Sequence, residues 1–350
     1  MSDNVTTIRN ALAEHGVESI LITNAPNVRF ASNFSTPEDG VVIITPDRAV
    51  LLTDARYTVQ AEEESSIEVL ITREHDQHVA EIAAGTKLAV EAESMSVGRF
   101  TKLEELFGAK ITPLENLILP LRIVKTPAEI EYIRKAAQIA DAAFEKTVQM
   151  MKPGVSEVEV ALYLEREMRL AGAEGTAFTT IVASGPRGAM PHGVASPKLL
   201  AAGELVTLDF GAVFNGYHSD MTRTVAIGEI GAEERRLFDA VLEAQIAAVA
   251  AIKPGVSGAD IDKVARDILA SHDLADAFVH GLGHGVGLQI HELPRLSPAS
   301  TDVLQPGMLV TVEPGVYLPG FTGLRIEDLV LVTDNGHEIL SHAPKAFRQL

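Results

Sequence analysis

Cysteine is absent from the 350-residue sequence, which excludes disulfide bonds, thiolate metal sites and cysteine nucleophiles. Basic residues are also few: 29 Lys and Arg stand against 48 Asp and Glu, giving a formal net charge of −19 at pH 7. This balance argues against nucleic-acid binding, which requires a basic surface. No apolar run approaches the ~18 residues that a membrane span needs.

Residues 1–4 lack the basic segment and the following apolar stretch of a secretory signal. We therefore expect a cytoplasmic protein that binds neither nucleic acid nor a membrane. Hydrophobic residues make up 46% of the chain and charged residues 22%, which is the profile of a globular protein. The length allows two domains, each with its own core.

Residues 1–121 alternate between helical and strand patterns. The patterns predict helices over 5–15 and 56–64, and strands over 19–22, 40–44, 49–52, 67–72 and 87–91. This alternation is typical of a small α/β domain, and we find no catalytic constellation in it.

A boundary near 122–125 separates this first domain from a second domain over 122–350. Just after it, Thr126 precedes Pro127, and Glu129 follows three residues after Thr126. A threonine, a proline and an acidic residue at these spacings predict a helix N-terminus with a capping box.

The second domain contains an internal repeat. Lys-Pro-Gly-Val-Ser at 152–156 recurs at 253–257, an offset of 101 residues. The strand-like segment 203–211 is echoed at 307–315, an offset of 104 residues. Two matched blocks at nearly one offset indicate two duplicated units, which are too few for a solenoid. We predict a pseudo-two-fold domain with a central site.

Each duplicated unit carries two acidic residues in strand-like segments. Asp209 and Asp220 lie 11 residues apart in the first unit, and Glu313 and Glu327 lie 14 residues apart in the second. Acidic residues are disfavoured in strands and costly in an apolar interior. A single one could sit at a strand end facing water, but four cannot share a small site as bare anions. Two divalent cations would nearly balance their charge.

The segment 280–292 lies between the two acidic regions and interleaves histidines with glycines. Its three histidines within twelve residues are His280, His284 and His291. Glycine permits close approach of the backbone to a ligand, and imidazole is a common metal ligand. A lone histidine would more often be structural, whereas three in this pattern favour a functional site.

In order along the chain, these motifs resemble the "pita-bread" metallopeptidase family, and within it the Xaa-Pro branch of prolidases and aminopeptidases P. The matching segments are 208–211, 219–223, 283–285, 291–292, 312–315 and 325–328. The resemblance implies a small N-terminal α/β domain followed by a pita-bread catalytic domain, and a homodimer. The segment 54–57 matches a recurring family segment for which we expect a structural role.

The resemblance also implies two divalent metal ions per chain, with five ligands: Asp209, Asp220, His284, Glu313 and Glu327. Asp220 and Glu327 would bridge both ions, Asp209 would hold one, and His284 with Glu313 would hold the other. One imidazole among oxygen ligands suits Mn²⁺ or Co²⁺, with Zn²⁺ as a further candidate, since the ligand set alone does not fix the metal.

Further residues match catalytic positions of the family. Family histidines that contact the substrate and assist proton transfer match His192, His280 and His291. Two close metal ions would activate a shared water, His291 would stabilise the oxyanion, and Glu313 would shuttle a proton. Arg325, two residues before Glu327 on one predicted strand, would brace that bridging carboxylate.

The expected reaction is hydrolysis of the bond between an N-terminal residue and a following proline. Methionine aminopeptidases share the fold but usually lack such an N-terminal domain. Creatinase does not use a metal centre, and non-enzymatic binding proteins on this fold have typically lost ligands, so the five retained ligands disfavour both.

The choice between dipeptidase and aminopeptidase P depends on Arg295, which matches an arginine that some small prolidases use on the dipeptide carboxylate. A solvated loop arginine is the alternative interpretation of this residue. The sequence favours a dipeptidase slightly, with an aminopeptidase P acting on longer peptides as the alternative.

Overall fold

The computed structural model describes residues 3–350, which divide between Arg122 and Ile123 into two compact units. An apolar core lies in the N-terminal unit, and the two halves of the C-terminal unit each have a core of their own. Within the described residues, no helix combines the length and the apolar character needed to cross a membrane.

The N-terminal unit is a six-stranded sheet with five helices. The helices are α1 (Asp3–Glu14), α2 (Ala25–Ser32), α3 (Thr58–Glu64), α4 (His75–Ile82) and α5 (Val97–Phe107). The strands are β1 (Ser19–Ile22), β2 (Gly40–Ile44), β3 (Ala49–Thr53), β4 (Glu68–Ile71), β5 (Leu88–Glu91) and β6 (Thr112–Leu114). Their order is β4-β3-β2-β1-β5-β6, with β1, β2 and β3 antiparallel and the other pairs parallel.

Most sequence-predicted elements of this unit lie where expected, and the strands over 19–22 and 40–44 have the predicted bounds. The single helix predicted over 56–64 is wrong in its first turn. The structure has a 3₁₀ turn at Ala55–Tyr57, and α3 begins only at Thr58. Side-chain contacts hold this turn: the Asp54 carboxylate accepts the Arg56 N–H, and Asp39, distant in the sequence, accepts hydrogen bonds from the Arg56 guanidinium and the Tyr57 hydroxyl. These contacts connect the segment 54–57 to Asp39, and its structural role stays a prediction.

The C-terminal unit contains four long helices and thirteen strands. The helices are α6 (Pro127–Thr147), α7 (Glu157–Leu170), α8 (Ala232–Ala251) and α9 (Gly258–Ser271). The strands of the first half are β7 (Gly175–Thr176), β8 (Ile181–Ser184), β9 (Glu204–Phe210), β10 (Ala212–Phe214), β11 (Tyr217–His218) and β12 (Met221–Ile227). Those of the second half are β13 (Gly283–Gly285), β14 (Glu292–Leu296), β15 (Leu309–Val312), β16 (Gly315–Leu318), β17 (Thr322–Arg325), β18 (Asp328–Thr333) and β19 (Gly336–Ile339).

The predicted duplication is visible as two helix pairs and two antiparallel strand pairs. In the first half, α6 and α7 pack on the sheet β12-β9-β8 around one apolar core. In the second half, α8 and α9 pack on the sheet β14-β13-β15-β18-β19 around another. The antiparallel pair β9–β12 of the first half corresponds to β15–β18 of the second. The mixed α/β class predicted from the sequence is confirmed.

Three helices of the C-terminal unit begin at a side-chain cap. Ser156 and Ser257, the last residues of the two Lys-Pro-Gly-Val-Ser copies, accept N–H bonds from Glu159 and Asp260 and so begin α7 and α9. Thr126 begins α6 with the complete capping box expected from the sequence. These caps fix the start of helices that support the strands of the site.

Candidate metal centre

The antiparallel strand pair β9–β12 positions the first two acidic side chains. Asp209 lies next to the end of β9 and faces Thr222 of β12 in the strand register, while Asp220 immediately precedes β12. Both residues are buried, with 8% and 5% of their surface exposed. This strand pair therefore directs two carboxylates into the protein interior rather than to water.

The other two acidic side chains flank the antiparallel strand pair β15–β18. Glu313 follows β15 directly, and Glu327 lies in the short connection between β17 and β18. A hydrogen bond connects the two strand pairs at Glu327, whose N–H donates to the Thr222 carbonyl over 3.1 Å. The structure brings oxygens of Asp209, Asp220 and Glu327 within 4.8 Å of one another.

His284 reaches this cluster from the glycine-rich strand β13. A Cβ on Gly283 would lie 2.0 Å from the Thr311 carbonyl oxygen, and one on Gly285 would lie 2.1 Å from that of Leu293. Only glycine permits such close strand approach, so the glycines on both sides of His284 are required by packing. The close approach places the imidazole Nε2 3.3 Å from Glu313 Oε1 and 3.6 Å from Asp220 Oδ2.

The tautomer of His284 follows from its other nitrogen. Nδ1 lies 3.0 Å from the Gly285 carbonyl oxygen, which can only accept, so Nδ1 carries the hydrogen. Burial lowers the pKa of His284 to about 3, so the ring is neutral at pH 7. The unprotonated Nε2 therefore presents a lone pair to two carboxyl groups, an arrangement that requires a metal ion or a proton between them.

The electrostatics of the carboxylates are equally unfavourable for the bare protein. Burial and the neighbouring negative charges raise the pKa of Asp220 and of Glu327 well above the usual values, and burial raises that of Glu313 to about 7. Within residues 3–350, Asp209 Oδ1 and Glu327 Oε1 are buried without a hydrogen-bond donor. Oxygen-rich sites with one imidazole suit divalent metals, so the residues present fit the ions that the sequence implied.

Arg325 is the buried cation of the site. Its Nη2 donates to Asp209 Oδ2, and its Nε donates over 3.1 Å to the Thr222 hydroxyl, which in turn donates to Glu327 Oε2 over 2.7 Å. The expected strand shared by Arg325 and Glu327 is wrong, because β17 ends at Arg325 and Glu327 lies outside β17 and β18. The hydrogen bond to Asp209 is direct, whereas the contact with Glu327 runs through Thr222.

A cleft of about 1130 Å³ opens onto the cluster. Asp209, Asp220 and Glu313 line it. The other sequence-predicted residues that line it are His192, His280, His291 and Arg295. His192, His291 and Arg295 are exposed within the cleft. The His291 ring packs edge-on against that of His284, with centroids 4.4 Å apart.

The structure also shows three hydroxyl residues that the sequence reasoning missed. Thr222 donates to Glu327 and lies two residues after Asp220. Thr311 donates to Glu313 and lies two residues before it. Strand periodicity could have identified both, since residues i and i+2 share a face. Tyr317 binds Arg325 and His280, and no sequence spacing predicts that contact.

Comparison with known proteins gives the family. The sequence profile of metallopeptidase family M24 matches residues 131–334, and that of the Creatinase/Prolidase N-terminal domain matches residues 5–124. The chain belongs to metallopeptidase family M24.

Similar proteins cover nearly the whole chain. A structure named Xaa-Pro dipeptidase from Bacillus anthracis has a TM-score of 0.96 and 42% identity, over 99% of both chains. The Xaa-Pro dipeptidase of Pyrococcus furiosus is 39% identical over 97% of this chain and 98% of its own. A structure named X-Pro aminopeptidase from Thermotoga maritima has a TM-score of 0.91 and 37% identity, over 97% of this chain and 100% of its own.

Proposed function

We propose that this protein hydrolyses the bond between an N-terminal residue and a following proline, using two divalent metal ions, with Xaa-Pro dipeptides as the preferred substrates. Membership of family M24 and the buried cluster of carboxylates and histidine support the peptidase activity. The names of two similar proteins, both Xaa-Pro dipeptidases, support the choice of substrate.

One observation carries the metal-dependent part of the proposal. The lone pair of His284 Nε2 faces Asp220 and Glu313, and buried oxygens of Asp209 and Glu327 lack donors within residues 3–350. We assign Asp220 and Glu327 to both ions, Asp209 to one, and His284 with Glu313 to the other. When bound, the ions would supply Lewis acidity toward the scissile carbonyl and toward water.

The side chains around the ligands have separate proposed roles. The rings of His192 and His291 have no hydrogen-bond partner within residues 3–350, so their nitrogens can bind the substrate in the cleft. His291 donates to the oxygen of the scissile carbonyl, where negative charge develops. Glu313 takes the proton released by water and passes it to the proline nitrogen, which carries no hydrogen and must be protonated to leave.

The walls of the cleft fit a proline-containing dipeptide. Apolar side chains on the lining suit the proline ring: Phe178, Ile181, Val194, Val279 and Ile290. Arg295 lies on β14, opposite His284 of β13 in the strand register, and lines the same cleft. Its guanidinium would bind the carboxylate of the dipeptide, a group that lies one residue further out in a tripeptide.

The test uses three peptides and one purified protein. We expect hydrolysis of Ala-Pro, little hydrolysis of Ala-Ala, and slower hydrolysis of Ala-Pro-Ala, measured as released amino acid. A chelator should abolish the activity, and Mn²⁺ or Co²⁺ should restore it. Full activity in metal-free protein would contradict the mechanism. Preference for Ala-Pro-Ala over Ala-Pro would instead favour aminopeptidase P, the activity named for the Thermotoga maritima protein.

The proposal extends to the metal identity, the assembly and the location. The donor set of four carboxylates and one imidazole favours Mn²⁺ or Co²⁺ over softer metals, which elemental analysis of protein purified without added metal would test. We propose a homodimer in the cytoplasm, to be measured by light scattering during size-exclusion chromatography and by cell fractionation. A monomer at micromolar concentration would contradict the assembly.

A further inference from the structure

His280 differs from the other two histidines of the cleft because both of its ring nitrogens are already bonded within the protein. Nδ1 lies 2.8 Å from the Gly281 carbonyl oxygen, and Nε2 lies 2.9 Å from the Tyr317 hydroxyl. The carbonyl can only accept, so Nδ1 carries the hydrogen and Nε2 accepts the hydrogen of the Tyr317 hydroxyl. Neither nitrogen is left to bind a substrate.

His284 shows the same local arrangement with a different partner. Each histidine directs Nδ1 to the carbonyl of the glycine that follows it, Gly281 or Gly285. Each therefore presents an unprotonated Nε2 away from its own backbone. For His284 this nitrogen faces the carboxylate cluster, whereas for His280 it faces Tyr317.

The Tyr317 hydroxyl has a fixed direction, because it also accepts a hydrogen bond of 2.6 Å from Arg325 Nη1. The residue is 7% exposed, and Gly315 leaves room for its hydroxyl, since a Cβ there would lie 2.6 Å from the oxygen. With the guanidinium donating to it, the hydroxyl hydrogen is directed to His280.

This hydroxyl connects the histidine to the proposed metal ligands. Arg325 donates a hydrogen bond to Asp209 directly, and it is linked to Glu327 through the Thr222 hydroxyl. A chain of hydrogen bonds thus runs from the Gly281 carbonyl to two carboxylates of the cluster. Groups that hydrogen-bond metal ligands directly, as Arg325 does, typically change metal affinity 10- to 100-fold when they are removed, and Tyr317 acts on the ligands through Arg325.

We infer that Tyr317 is a positioning residue of the metal centre and that His280 is its hydrogen-bond acceptor, so that His280 transfers no proton to or from the substrate. This inference rests on the proposed metal-dependent function and refines it, because it withdraws His280 from the catalytic histidines implied by the sequence. The remaining candidates for substrate contact are His192 and His291, whose rings are free of hydrogen bonds within residues 3–350.

The test compares two tyrosine variants by metal titration without substrate. Tyr317→Phe removes only the hydroxyl, and we expect its metal dissociation constant to rise about 10-fold, the lower end of the range for direct partners, because Tyr317 acts through Arg325. Tyr217→Phe is the matched control, because Tyr217 is also buried and donates to a carboxylate, that of Glu129, over 2.7 Å. It should bind metal as the parent protein does. Equal affinities in the two variants would overturn the positioning role.

A second comparison tests the role of His280. In His280→Gln the amide oxygen can accept the Tyr317 hydrogen in place of Nε2, so kcat/KM should stay within about threefold of the parent value and the pH–rate profile should be unchanged. A fall of about 100-fold with loss of one limb of the profile, in protein that keeps its metal, would make His280 a catalytic residue.

Two further readouts keep the inference testable if a variant misfolds or the proposed function fails. Nitrogen-15 spectra of histidine-labelled parent protein should show His280 protonated at Nδ1, and protonation at Nε2 would overturn the inference without any variant. If Ala-Pro is not cleaved while Tyr317→Phe still weakens metal binding, the substrate proposal fails and the positioning role stands.

Discussion

Lys125 and Glu292 form an ion pair that the structure buries almost completely. Lys125 Nζ lies 3.0 Å from Glu292 Oε2, and each side chain is 1% exposed. The other oxygen of Glu292 accepts the Gln289 N–H over 3.0 Å. The pair therefore anchors the segment that carries His291, next to Glu292 in the sequence. Replacing Lys125 by methionine keeps most of the side-chain volume and removes the charge.

The expected cost follows from burial. Removing one partner of a buried ion pair typically costs about 3 to 5 kcal/mol, because the remaining charge stays buried with less compensation. For a unit of the size of Ile123–Leu350, each kcal/mol lowers Tm by about 2 to 4 °C. Lys125→Met should therefore lower the Tm of this unit by about 6 to 20 °C.

Scanning calorimetry would measure the change, with an exposed pair as the control. Lys263 and Asp267 are 68% and 64% exposed, and such a helical pair contributes about 0.3 to 0.5 kcal/mol. Lys263→Met should therefore shift Tm by about 2 °C or less. Adding Glu292→Gln to Lys125→Met should recover part of the loss, because the amide removes the carboxylate charge that Lys125 had balanced. Equal shifts for Lys125→Met and Lys263→Met would refute the reasoning.

Three further predictions concern the site. Asp220→Ala should retain fewer ions than Asp209→Ala, because Asp220 is assigned to both; equal metal content by elemental analysis would contradict the bridging assignment. His284→Ala should lose metal, whereas His291→Ala should keep both ions while kcat falls ~10²-fold, as for loss of an oxyanion donor; the reverse pattern would exchange the two roles. Arg295→Ala should remove a contact of about 2 to 3 kcal/mol, lowering kcat/KM for Ala-Pro roughly 30- to 150-fold and leaving Ala-Pro-Ala nearly unchanged. Equal losses on both peptides would give Arg295 a structural role.

Features with a short-range physical cause were accessible from the sequence. The capping box of Thr126 and Glu129 involves residues three apart, and the structure contains it as predicted. The strand β1 has the predicted bounds because its apolar residues are contiguous. The α3 region was less accessible, because Arg56 and Tyr57 bind Asp39, which lies 17 and 18 residues away.

Within the site, the acidic residues could be identified because an acidic side chain in a strand pattern is anomalous by itself, and the repeat doubled the signal. Their convergence was inferred from the duplication, while their distances required the fold. The break between Arg325 and Glu327 could not be seen, since the sequence around them is continuous with a strand pattern. Only the structure shows that Arg325 binds Asp209 directly.

The sequence by itself determined the two-part α/β architecture, the helix starts and the identity of the acidic and histidine residues, because these follow from local propensity and from the repeat. The tertiary structure alone decided which of those side chains are already hydrogen-bonded or ion-paired within the protein. The bond between His280 and Tyr317 joins residues 37 apart, and the Lys125–Glu292 pair joins residues 167 apart. Such contacts depend on packing between distant strands, which no spacing along the chain encodes.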